Sequence, residues 1–190
     1  MINVRYTEYP WPYFHGSFDD DFYQYVNEQW STEESEKKWN KVRIRSNIII
    51  KNPQICDILT EVGNKLILQS EDLYKKHYPK LNKLPIADNP HHLFSENPPS
   101  ESGHDMRKRH LDNGNKMASG LWYFRNPDDD DGGDLILYNP ITKEKDVFKY
   151  DTNKIILFPN LPISWHTITR REKSKYPRRF VCLVMESSKT

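Results

Sequence analysis

His110 and Asp112, in Arg109-His110-Leu111-Asp112-Asn113, are the side chains of this sequence best placed to do chemistry together. On extended backbone successive side chains alternate faces, so an imidazole and a carboxylate two positions apart point the same way. A nitrogen and an oxygen donor then come within reach of one cation. His166, in Ser164-Trp165-His166-Thr167, offers a third donor 54 positions beyond Asp112 (166 − 112 = 54). Two histidines and one carboxylate on one side of a metal leave other positions open, a donor set that suits Fe(II) and O₂ chemistry. An H-x-D alone arises often by chance; the residues after it give this one its weight.

Bringing three such ligands together takes sheet on both sides of them, and the second half of the chain reads as sheet. Strands are predicted over 106–111, 117–125, 135–138, 147–150, 154–158, 165–169 and 179–185, with turn signals at Asn113-Gly114, Asp131-Gly132-Gly133, Asn139-Pro140, Asn160 and Pro177. The first half supplies a scaffold. Tyr9-Pro10-Trp11-Pro12-Tyr13-Phe14 reads as a short extended edge segment, because proline removes a ladder donor. Ser17 is the expected cap of a helix over 18–27, with Asp19, Asp20 and Asp21 in its first turn. Residues 31–38 read as polar surface and 42–50 as a strand entering a core. Asn52-Pro53 starts a helix whose Ile55, Leu59, Val62 and Leu66 form one stripe; it extends to about Tyr78 with a break near Ser70. Residues 79–103 lack periodicity and read as a long loop, placed to cover the metal strand as a lid. The fold class is mainly β with flanking helices, a sandwich or open barrel. A single domain over 1–190 is expected, scaffold to about 105 and β core over about 106–186.

The remaining features exclude more than they suggest. Net charge is +1, so no overall field points to nucleic acid or an anionic membrane surface. Only two cysteines occur, Cys56 and Cys182, so reduced thiols and a cytoplasmic setting are expected. No stretch approaches the roughly 18 apolar residues of a membrane span. His91, His92 and His104 read as surface histidines of the loop, Asp128 to Asp131 as a solvated turn, and Trp11, Trp30 and Trp39 as packing residues. Gly132-Gly133 reads as close backbone packing at a strand start, since no Walker-type lysine follows.

Taken in order, His110-Leu111-Asp112-Asn113-Gly114-Asn115, Leu121-Trp122-Tyr123-Phe124, Gly132-Gly133-Asp134-Leu135, Ile156-Leu157-Phe158-Pro159-Asn160, Trp165-His166 and Arg179-Phe180-Val181 resemble the prolyl-hydroxylase-type branch of the 2-oxoglutarate/Fe(II)-dependent oxygenases. The resemblance implies a double-stranded β-helix (jelly-roll, cupin-like) core and Fe(II) at His110, Asp112 and His166. It further implies 2-oxoglutarate as cosubstrate with O₂, and hydroxylation of a C–H bond with release of succinate and CO₂. The far carboxylate of the diacid needs a buried cation, and arginine can meet it bidentately. Arg178 and Arg179 are both candidates. Arg179 is preferred, because the family's arginine is followed two places later by a small residue and Val181 fits that better than Phe180. Tyr123 matches a family tyrosine that meets the same carboxylate, and Ser119 shares its face.

The implied substrate is a peptidyl proline, an amino acid or another small metabolite; neither nucleic acid nor a membrane is expected as partner. Other readings remain open. A non-catalytic jelly-roll binding module could retain the ligands. A nucleic-acid dealkylase of the same chemistry is opposed by near-neutral charge and by the lack of a second arginine soon after Arg179. A zinc hydrolase would want a base beside the H-x-D, where none is evident.

Overall fold

From the N-terminus the elements run β1 (Asn3–Thr7), β2 (Tyr13–Ser17), α1 (Asp20–Trp30), β3 (Trp39–Asn40), β4 (Arg43–Ile44), β5 (Ser46–Ile49), α2 (Pro53–Gln69) and α3 (Glu71–His77). They continue with β6 (Asn89–Asn97), β7 (Lys116–Tyr123), β8 (Leu135–Tyr138), β9 (Lys145–Phe148), β10 (Ile155–Pro159), β11 (Trp165–Ile168) and β12 (Arg178–Glu186). This computed structural model describes residues 3–7, 12–30, 39–40, 43–44, 46–80, 87–97, 108–171 and 173–188.

Seven strands form an antiparallel sheet in the order β1-β2-β10-β7-β12-β6-β5, and three form a second, β11-β8-β9; β3 and β4 make a small separate pair. Chain-consecutive strands β7 to β12 pass between the two sheets, the winding of the double-stranded β-helix expected from the sequence. One face of the large sheet is covered by helices. Asn52 accepts a hydrogen bond from the Ile55 amide and Pro53 takes the first helical position, so α2 begins where the sequence places it. Its stripe Ile55, Leu59, Val62 and Leu66 is buried. Gly63 lets the helix lie on the sheet, since a Cβ there would come within 2.8 Å of Met185 Cγ. Trp122, on the same face of the large sheet, stacks on Phe22 of α1 at 5.7 Å and 6°. The break at Ser70 is present, and α3 follows it.

The opposite face of the large sheet carries Ser119, Leu121 and Tyr123 of β7 and looks towards the small sheet. Phe158 on β10 meets His166 on β11 across that interior, with ring centroids 5.0 Å apart. The side chains that can do chemistry therefore lie between two sheets, each held by antiparallel ladders.

Several local expectations are corrected. Asp19, not Ser17, caps α1: its Oδ1 accepts the Phe22 amide at 2.9 Å, while Ser17 is held in β2 opposite Asn3. The aromatic opening is no edge either. β2 lies between β1 and β10, and β1 was invisible as a strand; Tyr9 to Trp11 fall outside the described residues. The largest correction concerns the loop. Residues 89–97 form β6, paired along its length with β12 and on its other side with β5, so this part cannot be a lid. Its polar residues disguised it, because His92, Ser95 and Glu96 are buried in the fold rather than turned to water. In contrast to 89–97, only one isolated bridge, at His110, marks the strand expected at 106–111, of which 106–107 lie outside the described residues. His104, Trp11 and the side chains of Trp30 and Trp39 fall outside them too.

His92, expected at the surface, is 1% exposed, with Nε2 3.0 Å from Thr60 Oγ1. Burial, aided by neighbouring His91, pulls its imidazole from the ordinary 6.5 down to about 4. The unfolded chain takes up this proton at a higher pH than the folded one. Stability should therefore fall as pH drops through that window, by up to about 3 kcal/mol at 1.4 kcal/mol per pH unit. Urea unfolding at pH 7 and pH 4.5 should show that loss, and His92→Leu should flatten it; an unchanged pH slope in the variant would refute the assignment. Among the described residues no helix is long and apolar enough to cross a membrane, and both cysteines are unbridged.

Candidate metal centre

His110 and His166 face each other across that bridge: the His110 amide donates to the His166 carbonyl at 3.0 Å and the His166 amide returns the bond at 2.9 Å. Directly paired residues present their side chains on the same face, and the two imidazole centroids are 4.3 Å apart. Asp112, one pleat further on, turns its carboxylate to both. Its Oδ1 is 3.9 Å from His110 Nε2 and its Oδ2 is 3.9 Å from His166 Nε2. All three donor atoms fall within 4.8 Å of one another. Metal–ligand bonds of about 2.0–2.2 Å reach across the 3.9 Å separations, so one divalent ion can touch all three.

The second nitrogens settle the tautomers. His110 Nδ1 lies 2.8 Å from the Lys108 carbonyl and His166 Nδ1 lies 3.3 Å from the Ser164 carbonyl. A carbonyl only accepts, so each Nδ1 carries the proton and each Nε2 keeps its lone pair for a cation, the arrangement that backbone carbonyls impose on metal-binding histidines. Burial works to raise the Asp112 carboxyl, but the Lys116 ammonium, 3.5 Å from Oδ1, and His166 outweigh it and hold the group below its ordinary range. It stays a carboxylate. The chemistry of the donor set thus fits an ion such as Fe(II).

Along the same interior, Arg178 enters from the start of β12. It is 1% exposed, its guanidinium 5.1 Å over Tyr123, 5.1 Å over Tyr150 and 4.6 Å over Phe180, and its Nε donates to the Gly133 carbonyl at 2.9 Å. Arg178 Nη2, the Tyr123 hydroxyl and the Ser119 hydroxyl are buried without a hydrogen-bond partner among the described residues. Burial pushes the Tyr123 hydroxyl up to about 12 against the pull of Arg178, so it remains a donor. Arg179, preferred on sequence, points the other way. Its Nε donates to Glu96 Oε1 at 2.7 Å, directly across the ladder on β6. Both faces of β12 are covered, one by α2 and the other by the small sheet. The size of the residue two places on therefore could not tell which face is interior. The pairing of Phe180 with Tyr123 decides it, since Arg178 shares their face.

Sequence reading missed the clasp behind Arg178. Arg171 donates from Nη2 to Asp129 Oδ2 at 2.6 Å, and Ser174 Oγ donates to Asp129 Oδ1 at 2.7 Å. Asp129 is therefore a buried anion and not part of a solvated turn. Gly133 has φ +85°, and a Cβ there would come within 3.1 Å of both Arg178 Cδ and the Tyr150 ring. The Gly-Gly signal was readable; its partners Tyr150 and Arg178, distant in sequence, were not.

Residues 100–184 match the 2OG-Fe(II) oxygenase superfamily. No curated protein matches the chain in sequence. A prolyl-4-hydroxylase from Pseudomonas putida has a similar structure, with TM-score 0.64, 14% identity, and 92% of each chain covered. A prolyl hydroxylase from Trichoplax adhaerens, solved with a hypoxia inducible factor oxygen degradation domain peptide fragment, gives TM-score 0.56 at 17% identity over 87% of this chain and 76% of that one. A putative oxygenase from Shewanella oneidensis gives 0.57 at 10%, covering 92% of this chain and 81% of that one. At these identities the likeness establishes the fold. The matched segment contains the H-x-D, the distal histidine and the arginine strand, so within a fold like that of the prolyl hydroxylases this part of the chain is similar to the 2OG-Fe(II) oxygenase superfamily, whose chemistry uses Fe(II), 2-oxoglutarate and O₂.

Proposed function

We propose that His110 Nε2, His166 Nε2 and the Asp112 carboxylate hold Fe(II), and that Arg178, Tyr123 and Ser119 receive 2-oxoglutarate, in an enzyme that hydroxylates a C–H bond of a peptide or small molecule. The observation that carries this reading is that the donor triad is gathered at the His110–His166 bridge, while a buried arginine on β12, on the face that looks towards the small sheet, has a donor unmet among the described residues. When bound, the ferrous centre with 2-oxoglutarate and O₂ supplies the oxidising power, and succinate and CO₂ are its by-products.

The chain's own residues do the rest. Asp112 offsets one of the metal's two charges, and the carbonyls of Lys108 and Ser164 hold the Nδ1–H groups so that both Nε2 atoms are aimed at the ion. Arg178 neutralises the far carboxylate in a site where water is scarce and charge-assisted bonds are strong. Tyr123 adds a neutral donor. Phe158, packed on His166, and Phe180, under Arg178, keep water away from both groups. A peptidyl proline fits the family branch, and the Trichoplax relative was solved with a peptide; amino acids and other small metabolites fit as well.

Succinate release measured over a panel of prolyl peptides, free amino acids and sugars tests the reading. Turnover should require Fe(II) and rise several-fold above the uncoupled rate with one class. Protein that binds both Fe(II) and 2-oxoglutarate yet forms no succinate, coupled or uncoupled, would favour a non-catalytic module.

A further inference from the structure

Residues 125–133, 169–171 and 173–177 lie next to Arg178 in the fold, and Arg171 and Asp129 among them form a buried ion pair. Arg171 is 3% exposed and Asp129 5% exposed. Arg171 Nε donates to the Asp131 carbonyl at 3.0 Å, its Nη2 to Asp129 Oδ2, and the Asp131 carboxylate accepts the Lys173 and Ser174 amides at 2.7 and 3.1 Å. Every bond fastens the short run 129–133, and the last carbonyl of that run, on Gly133, takes the Nε of Arg178. Gly133 is squeezed between the two arginines: a Cβ there would meet Arg178 Cδ at 3.1 Å and Arg171 Cδ at 3.2 Å. Both guanidiniums flank the Tyr150 ring, at 5.1 and 5.6 Å, and the Tyr150 hydroxyl accepts the Arg179 amide, fixing the start of β12.

We infer that Arg171, locked by Asp129 and Ser174, is a positioning residue for Arg178 and so sets the affinity for the dicarboxylate cosubstrate. A lone buried guanidinium on a flexible stem would have to be ordered by the ligand; here the Gly133 carbonyl and the packed Arg171 stem order it beforehand, lowering the cost of binding. The effect belongs in ligand affinity and not in the chemical step, because the clasp touches nothing at the metal triad. This inference rests on Arg178 being the cosubstrate anchor.

Arg171→Lys keeps the charge beside Asp129 but loses the planar fork. It should raise the 2-oxoglutarate KM and the Kd of succinate about five- to tenfold, with kcat within twofold and urea unfolding still a single cooperative transition at a lower midpoint. Arg171→Met with Asp129→Leu, which removes both buried charges, should behave alike if it folds. The decisive step is a cycle with Arg178→Met: a residue acting through Arg178 has nothing left to position, so Arg171→Lys should add no further loss in that background. Additive losses, or a Kd unmoved by Arg171→Lys, would overturn the inference. If Arg178→Met itself leaves affinity intact, the anchor assignment fails instead, and the two failures are distinguishable.

Discussion

Asp112→Ala should cost the protein its Fe(II) site, with loss of turnover of at least about 100-fold. Removing a group that merely supports a metal ligand typically costs 10- to 100-fold in affinity or activity, and Asp112 is proposed as a ligand itself. The local charge makes matters worse. Lys116 lies 3.5 Å from Oδ1, so deleting the carboxylate leaves an ammonium group beside the site without its counter-charge, and a second cation is repelled there. Two measurements avoid relying on activity. Under anaerobic conditions Fe(II) and 2-oxoglutarate together should give wild-type protein a weak metal-to-ligand absorption band, and the variant none. Wild type should also gain thermal stability with Fe(II), as any ligand bound only to the folded state confers; at a hundredfold excess over Kd that is about 2.7 kcal/mol. A variant that keeps the band or the metal-dependent rise in Tm would remove Asp112 from the ligand set. The variant's own fold should survive, since a single bridge and the surrounding ladders position this segment.

That the three donor side chains meet was legible because it follows from local rules. Alternation on extended backbone puts His110 and Asp112 on one face, and His166 sits in a strand short enough to be read, β11, whose partner β8 begins and ends where the turn signals at Gly133 and Asn139 put it. The α2 helix was legible for the same reason: a cap, a proline and one stripe, all within 17 residues. What stayed hidden depends on contacts distant in sequence. β6 contains two prolonged insults to a strand reading, Asn89-Pro90-His91-His92 and Ser95-Glu96-Asn97. It is a strand because His92 finds Thr60 on α2, Glu96 finds Arg179 on β12, and a ladder runs along each side. Tertiary partners override propensity there. The Asp128 to Asp131 run looked like solvent-facing charge until Arg171 was seen to bury against it. No window of neighbouring residues carries that information.

The choice between adjacent arginines is the sharpest instance, and it yields the second large effect. Arg178→Met should raise the KM for 2-oxoglutarate about 10- to 100-fold, whereas Arg179→Met should change it less than about twofold. Hydrogen bonds to charged groups contribute about 1.5–3 kcal/mol each, and 1.4 kcal/mol is a factor of ten. Arg178 is fully enclosed and retains an unspent donor, Nη2, beside the equally unspent Tyr123 hydroxyl. Arg179 is committed to the buried Glu96 at 2.7 Å and so can contribute little to a ligand on the other face of the strand. Methionine fills much of the volume of the arginine stem, and urea midpoints of both variants separate lost binding from lost folding. The ligand offers a second control. Wild type should strongly prefer 2-oxoglutarate to 2-oxopentanoate, which lacks the far carboxylate; Arg178→Met should nearly abolish that preference while Arg179→Met leaves it intact. A preference that survives Arg178→Met but disappears in Arg179→Met would restore the arginine favoured by sequence, and would require β12 to present its opposite face to the interior.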